Sequence, residues 1–256
     1  MKLLIHREKR EVVDGREFIV AKAKQYIVSD TTKDFSTTYG SIAKKDLKAK
    51  PGSIVKTKTG KEFVVLDADW LDIYKRLRRL AQTIPLKDLG AIIAETGIDK
   101  SSICVDAGLG SGALACFLAH LAKHVTSYEI REDCIATAKQ NMDNLGIKNL
   151  TIKHKDVCEG IDEKEVDLIT LDLPEPWKAI SHAAKALRVG GWLVCYTPQI
   201  TQAQEAVSTI TKDKRLLYSK TLELIERQWK IEGRIVRPKN TPIGHSGFLT
   251  FARRIQ

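Results

Sequence analysis

The sequence predicts an α/β protein in which a mostly parallel β-sheet is covered by helices and preceded by a small β-rich domain. From residue 103 onward, short apolar segments alternate with segments of helical period, as expected for a parallel sheet. A glycine-rich turn, residues 108–112, joins the first of these strands to the first of these helices. The 256 residues suffice for one large core with a small appended domain.

The N-terminal domain, residues 1–67, is predicted from two pairs of strands. Residues 3–13 and 16–23 flank Asp14-Gly15, and residues 53–58 and 61–66 flank Thr59-Gly60. Both dipeptides are typical of hairpin turns. The second domain, residues 68–256, begins with bridging helices over 68–100. A helical period runs from 69 to 81, and residues 86–96 form a second helix closed by Gly97.

The remaining elements follow in a regular order. Strands are expected over 103–107, 124–130, 150–154, 166–173 and 191–197, and helices over 113–123, 132–145, 176–187 and 201–211. The tail, with strand-like segments over 216–236 and 248–253, lacks an intervening helix. We therefore expect a terminal hairpin with an antiparallel edge strand to close the sheet.

Composition restricts the partners and the compartment. Of the net charge of +10, residues 1–100 contribute +7, with 21 lysines and arginines against 14 acidic residues. This bias predicts a surface that binds a polyanion, although a lysine-rich surface also serves solubility or a hot habitat. No apolar run reaches the length of a membrane span, and the N-terminus becomes charged before a signal peptide core forms, so we expect a cytoplasmic protein. The five cysteines lack metal-ligand spacing, which predicts no metal site.

The ligand of the glycine turn is constrained by Asp106. Residues 106–112 read D-A-G-L-G-S-G, which matches neither the dinucleotide nor the P-loop fingerprint. A carboxylate beside the turn repels phosphate and suits a cationic ligand. The segment resembles the first motif of the Rossmann-like methyltransferases that use S-adenosylmethionine. Glu129 and Asp156 end the next two strands, where that class of enzymes binds ribose and adenine.

The segment 172–177, D-L-P-E-P-W, resembles the fourth motif of the tRNA (adenine-N1)-methyltransferases that modify position 58, and in archaea also position 57, of the T-loop. Further segments agree with this family in order and spacing: 79–82, 87–88, 107–112, 198–202 and 243–249. The resemblance implies a seven-stranded Rossmann-like methyltransferase domain, a tRNA substrate and a homotetramer.

The resemblance also implies the site residues. Asp172 is the catalytic candidate, and Arg76, Arg78, Arg79 and His245 are candidates for substrate binding. The cofactor site is expected to consist of Gln82, Asp106, Gly108, Leu109, Gly110, Ser111, Glu129, Asp156, Val157 and Asp172. The chemistry fits a carboxylate at position 172, because accepting a hydrogen bond from the adenine N6 amino group orients N1 and stabilises the cationic product.

Pro85 departs from the family pattern, which usually has an aromatic residue or histidine at this place, so the ring expected near the target base is missing. Two alternatives remain. The first is a methyltransferase of the same fold acting on a protein or small molecule. The second is a tRNA-binding subunit without catalysis, in which the glycine turn and Asp172 are not expected to persist.

Overall fold

The computed structural model describes residues 1–14, 16–80, 82–233, 235–240 and 244–256. The chain divides into two compact units, Met1–Arg76 and Leu77–Gln256. The domain division predicted at 67/68 coincides with the end of a strand, Glu62–Asp67, and stays a prediction.

The N-terminal unit is β-rich, as expected. Its main sheet is antiparallel with the order β4-β1-β8-β7, and it buries Leu4, Val28, Phe63 and Val65. The elements are β1 Lys2–His6, β2 Lys9–Val13, β3 Arg16–Ala21, β4 Lys24–Val28, β5 Phe35–Thr37, β6 Gly40–Ile42, a 3-10 turn Asp46–Lys48, β7 Ile54–Lys56, β8 Glu62–Asp67 and α1 Trp70–Tyr74. The β7–β8 hairpin confirms the predicted pair around Thr59-Gly60.

The single strand predicted over 3–13 is wrong. β1 ends at His6, and β2 begins at Lys9 and pairs only with β3 in a separate ribbon. The reason is that β4 and β8 occupy both edges of β1, so no edge of β1 is left for β3. The predicted turn residue Gly15 lies outside the described residues.

The helix predicted over 69–81 is also wrong in length, because α1 ends at Tyr74. Asp69 and Asp72 cap its start reciprocally through side chain and backbone. Farther along, both backbone groups of Arg78 are bonded to the side chain of Asn141, so they are not available for a helical ladder. Ala81 lies outside the described residues.

The second unit contains a seven-stranded sheet with the order β11-β10-β9-β12-β13-β17-β14. Its elements are α2 Leu86–Thr96, β9 Ile103–Ala107, α3 Ala113–Leu121, β10 His124–Glu129, α4 Glu132–Leu145, β11 Leu150–His154, β12 Val166–Leu171, α5 Ile180–Ala186, β13 Leu187–Thr197, α6 Ile200–Lys212, β14 Leu216–Glu223, β15 Trp229–Glu232, β16 Ile235–Pro238 and β17 Phe248–Arg254. Two 3-10 turns, Val157–Glu159 and Pro176–Lys178, follow β11 and β12. The predicted alternation is confirmed.

The antiparallel strand is not at the edge of the sheet. β17 pairs antiparallel with both β13 and β14, and β14 forms the edge. Leu249, Thr250, Phe251 and Ala252 are all completely buried, as expected for an interior strand. The strand-like stretch over 216–236 is likewise divided, since β15 and β16 form a two-stranded ribbon apart from β14.

The parallel strands bring their carboxyl ends to one edge of this sheet. β9 pairs in parallel with β10 and β12, and β12 pairs in parallel with β13. Ligands of open α/β sheets bind at this edge. Within the described part of the chain, no helix combines the length and the apolar character that a membrane crossing requires.

Candidate cofactor and active site

The glycine turn after β9 requires glycine at position 108. Gly108 has φ +91°, and a Cβ atom there would lie 2.0 Å from the carbonyl oxygen of Asp172. At Gly112, φ is +80° and a Cβ atom would lie 3.0 Å from the Cβ of Ala138 on α4. The chain therefore makes a narrow turn between β9 and α3 that a side chain at either position would obstruct.

Glu129 holds this turn against the end of β10. Its Oε2 accepts a hydrogen bond from the Gly110 backbone N–H at 2.9 Å, and its Oε1 accepts from the N–H groups of Ile130 at 2.9 Å and Arg131 at 3.0 Å. The residue is 9% exposed. A carboxylate with three amide donors still has acceptor capacity, because its two oxygens offer about four lone pairs.

Asp106 lies inside the sheet. It is completely buried, and its two oxygens accept hydrogen bonds from Ser127 Oγ at 2.5 Å and Thr170 Oγ1 at 2.9 Å. Both partners stand opposite Asp106 on the neighbouring strands. Burial raises the pKa of Asp106 to about 6, because desolvation disfavours the charged form more than the two hydroxyls favour it. That Asp106 takes part in cofactor binding remains a prediction.

Asp172 follows β12, and its backbone lies against the glycine turn at Gly108. Its N–H donates to the carbonyl oxygen of Ala107 at 2.9 Å, which continues the ladder between β12 and β9. The residue is half-buried, and no described residue donates a hydrogen bond to its carboxylate. Burial, and in second place the charge of Asp106, raises the pKa of Asp172 to about 7. The Asp172 carboxylate is thus an open acceptor beside the glycine turn.

Asp156 and Val157 stand at the end of β11. The Asp156 Oδ1 accepts from the Cys158 N–H at 2.8 Å and so caps the 3-10 turn, while Val157 is buried. Among the described residues, Ser111 is one of few with a buried polar side-chain atom that has no hydrogen-bond partner. A buried hydroxyl in this condition indicates a missing partner, such as a ligand or water.

Leu109 is buried within the glycine turn, and the backbone of Arg78 is joined to that turn through the side chain of Asn141. Gln82, Arg76, Arg78 and Arg79 are exposed, and their predicted roles stay predictions. His245 has both ring nitrogens engaged, with Glu223 Oε1 at 2.6 Å and with the carbonyl oxygen of Pro198 at 2.7 Å. The hydrogen bond to Glu223 is the main reason that the pKa of His245 is raised.

The structure reveals a polar cluster that the sequence did not indicate. Asp88 is completely buried and accepts hydrogen bonds from Lys87 Nζ at 2.7 Å and Ser246 Oγ at 2.8 Å. Tyr196 donates from its hydroxyl to the carbonyl oxygen of Ser246 at 2.7 Å. Burial, then the charges of Asp88 and Asp172, raises the pKa of Tyr196 to about 12. The segments 87–88 and 243–249 both resemble the family, but the sequence did not indicate that Asp88 and Ser246 meet.

A family model named tRNA methyltransferase complex GCD14 subunit matches residues 74–236. The chain belongs to this family. A relative of this chain, the tRNA (adenine(57)-N(1)/adenine(58)-N(1))-methyltransferase TrmI of Methanocaldococcus jannaschii, is 33% identical over 91% of this chain and 92% of its own. The tRNA (adenine(58)-N(1))-methyltransferase TrmI of Thermus thermophilus is 32% identical over 81% of this chain and 83% of its own.

Solved structures show the same fold as this GCD14 family member. A SAM-dependent O-methyltransferase from Thermotoga maritima superposes with a TM-score of 0.83 at 27% identity, covering 100% of this chain and 93% of that one. The tRNA (m1A58) methyltransferase TrmI from Aquifex aeolicus gives a TM-score of 0.78 at 21% identity, covering 100% and 97%. The fold is that of the Rossmann-like, SAM-dependent methyltransferases.

Proposed function

We propose that this protein uses S-adenosylmethionine to methylate N1 of adenine at position 58, position 57 or both of the tRNA T-loop. The observation that carries the proposal is the open carboxylate of Asp172, held beside the Gly108 turn by backbone bonds between β12 and β9. Adenine is the expected partner of this carboxylate, because the chain belongs to the GCD14 family and its relatives are named as adenine-N1 methyltransferases.

The residues around the turn fit S-adenosylmethionine. The glycine at 108 lets the turn pack directly against the Asp172 backbone, and the unpaired Ser111 hydroxyl offers a hydrogen bond. Glu129 and Asp156 end successive strands with carboxylate oxygens that suit ribose hydroxyls and an adenine amino group. The residues proposed to hold the cofactor are Gln82, Asp106, Gly108, Leu109, Gly110, Ser111, Glu129, Asp156, Val157 and Asp172. When bound, the cofactor supplies an electrophilic methyl group on a sulfonium.

The role of Asp172 is to orient and stabilise the target base. Its ionised carboxylate accepts a hydrogen bond from the N6 amino group, which holds N1 in position to attack the methyl carbon. Methylation at N1 makes the base cationic, and the negative charge of Asp172 stabilises that developing charge in a half-buried place. Transfer in one displacement needs no covalent bond to the protein.

The T-loop base has to leave its stack to reach the site, which costs a few kcal/mol. The exposed guanidinium groups of Arg76, Arg78 and Arg79 are proposed to offset part of this by binding phosphates. Pro85 begins α2 without an aromatic ring, so stacking on the base has to come from another residue. The proposal also includes a base-positioning role for His245, assembly as a homotetramer and a cytoplasmic location.

The test is to map the methylated nucleoside. Unmodified tRNA is incubated with the protein and S-adenosylmethionine carrying a deuterated methyl group, then digested and sequenced by mass spectrometry. We expect the label on N1 of adenine 57 or 58, and no transfer to a control tRNA with guanine at both positions. A label on a ribose oxygen or on another base, or no transfer to tRNA at all, would contradict the proposal.

A further inference from the structure

Asn141 is a buried polar residue on a mostly apolar face of α4, on which Thr137 is also buried. Cys134, Ile135, Ala138 and Leu145 follow the same helical spacing and are buried, and Asn141 is 0% exposed. A buried carboxamide is costly unless its donors and acceptor are used. Its hydrogen bonds therefore indicate what the residue does.

The carboxamide of Asn141 bonds to backbone groups of two distant segments. Its Oδ1 accepts from the Arg78 N–H at 3.1 Å, and its Nδ2 donates to the Arg78 carbonyl oxygen at 2.9 Å. The same Nδ2 donates to the carbonyl oxygen of Ser111 at 2.8 Å. One side chain thus joins the backbone of the basic segment, defined here as residues 77–80, to the glycine turn.

The two segments joined by Asn141 have different proposed ligands. Ser111 is one of the residues proposed to hold the cofactor, and it follows Gly110, whose N–H is bonded to Glu129. The basic segment presents the exposed side chains of Arg78 and Arg79. Fixing the turn therefore fixes the backbone from which these two guanidinium groups extend.

We propose that Asn141 is a positioning residue that couples the cofactor turn to the basic segment, so that binding of the cofactor strengthens binding of RNA. This proposal rests on the proposed function, which identifies the two ligands as S-adenosylmethionine and tRNA. By linkage, RNA strengthens cofactor binding by the same factor. Arg78 and Arg79 contribute positive charge to RNA binding, while Asn141 fixes the position of the backbone that carries these two side chains.

The test compares tRNA affinity with and without saturating S-adenosylhomocysteine. In the wild type we expect the product cofactor to lower the Kd of unmodified tRNA by at least about fivefold. Asn141→Asp retains an acceptor but loses both donated bonds, and Asn141→Ser shortens the side chain. In both variants we expect the factor to fall below about twofold. The matched controls Asn144→Asp and Asn144→Ser, at an exposed position of α4, should keep the wild-type factor.

A purely structural role of Asn141 predicts a different pattern. The variants would then unfold at lower temperature with the coupling factor unchanged, and this result would overturn the proposal. A coupling factor near one in the wild type would overturn it as well.

Amide exchange without RNA gives a readout that is independent of methyl transfer. In the wild type, S-adenosylhomocysteine should slow exchange of the Arg78 amide, by about tenfold for one stabilised hydrogen bond. Asn141→Ser should abolish that response. If the wild type fails to methylate tRNA, the proposed function falls while this measurement still decides the role of Asn141. If neither variant folds, the wild-type measurement still decides. An exchange rate of the Arg78 amide that does not change when S-adenosylhomocysteine is added overturns the coupling.

Discussion

Gly108 and Asp172 approach so closely that a Cβ atom on the glycine would lie 2.0 Å from the carbonyl oxygen of the aspartate. The next hydrogen bond of the ladder, from the Asp172 N–H to the Ala107 carbonyl oxygen, measures 2.9 Å. The turn proposed to hold the methyl donor and the carboxylate proposed to hold the base are therefore parts of one rigid strand junction. Substitutions that displace the backbone of this junction should change both cofactor binding and methyl transfer.

Gly108→Ala should destabilise the fold and abolish binding of S-adenosylhomocysteine. The new methyl group meets backbone atoms, and φ of +91° is unfavourable for alanine. We expect a decrease of about 3 kcal/mol or more in the free energy of unfolding, measured by urea denaturation. The control is Gly146→Ala, with φ +68° and no atom within 4 Å of the new Cβ, which should cost about 1–2 kcal/mol. Equal decreases in the two variants would disprove the steric interpretation.

The pH dependence of methyl transfer should report the ionisation of Asp172. Since the pKa of this carboxyl is raised to about 7, and only the ionised form supplies the negative charge that stabilises the cationic base, kcat/KM should rise with pH and reach half its plateau near 7. Part of the shift comes from the charge of Asp106, so Asp106→Asn should move the midpoint to lower pH. A profile that is flat from pH 5 to 9 in the wild type would exclude this role.

Asp106 should make the wild type less stable as the pH rises. Its pKa is raised from 3.8 to about 6, so the folded state binds the proton more tightly than the unfolded state. The resulting stabilisation is complete below pH 3.8 and is lost as the pH rises through about 6. Asp106→Asn removes this pH dependence, and its stability relative to wild type should increase by about 2 kcal/mol between pH 4 and 7.

Urea denaturation at a series of pH values measures this difference. Asp143→Asn, at an exposed position of α4, is the control and should follow the wild type at each pH. Parallel curves for Asp106→Asn and wild type would show that the burial of Asp106 has no effect on its proton affinity.

Charge reversal of Arg76, Arg78 and Arg79 together should weaken tRNA binding and flatten its salt dependence. For each phosphate that the triple variant no longer binds, the slope of log Kd against log salt concentration should fall by about 0.7–0.9. Lys212→Glu, an exposed change at the end of α6, is the control for net charge alone. If the triple variant retains the wild-type slope, the phosphates are bound elsewhere on the protein.

The sequence predicts which strand ends surround the site better than it predicts the hydrogen bonds within the site. Strand ends are local features, so Asp172 is recognisable as the acid that follows a largely apolar run, and Glu129 and Asp156 as acids at the ends of the two strands after the glycine turn. The interior position of β17 was not predicted, because Thr250 between two apolar residues is equally typical of a strand with one face in solvent, whereas all four residues from Leu249 to Ala252 are buried.

Long-range backbone bonds are what the sequence does not disclose. The helical period after Asp69 continues past Tyr74, yet α1 stops there, and the backbone of Arg78 is bonded to a side chain on α4. Asn141 itself was detectable only as a polar residue at an apolar spacing, which does not identify its partners. The same holds for Asp88 and Ser246, which meet from opposite ends of the second unit.

The proposed function depends above all on Asp172 orienting and stabilising the adenine. This role is tested most directly by single-turnover methyl transfer to unmodified tRNA with Asp172→Ala, beside the Kd of S-adenosylhomocysteine measured by calorimetry. We predict a rate lower by about 10²–10³-fold, as for removal of one transition-state interaction, and a Kd within about threefold of wild type. Methyl transfer at the wild-type rate in this variant would contradict the role of Asp172.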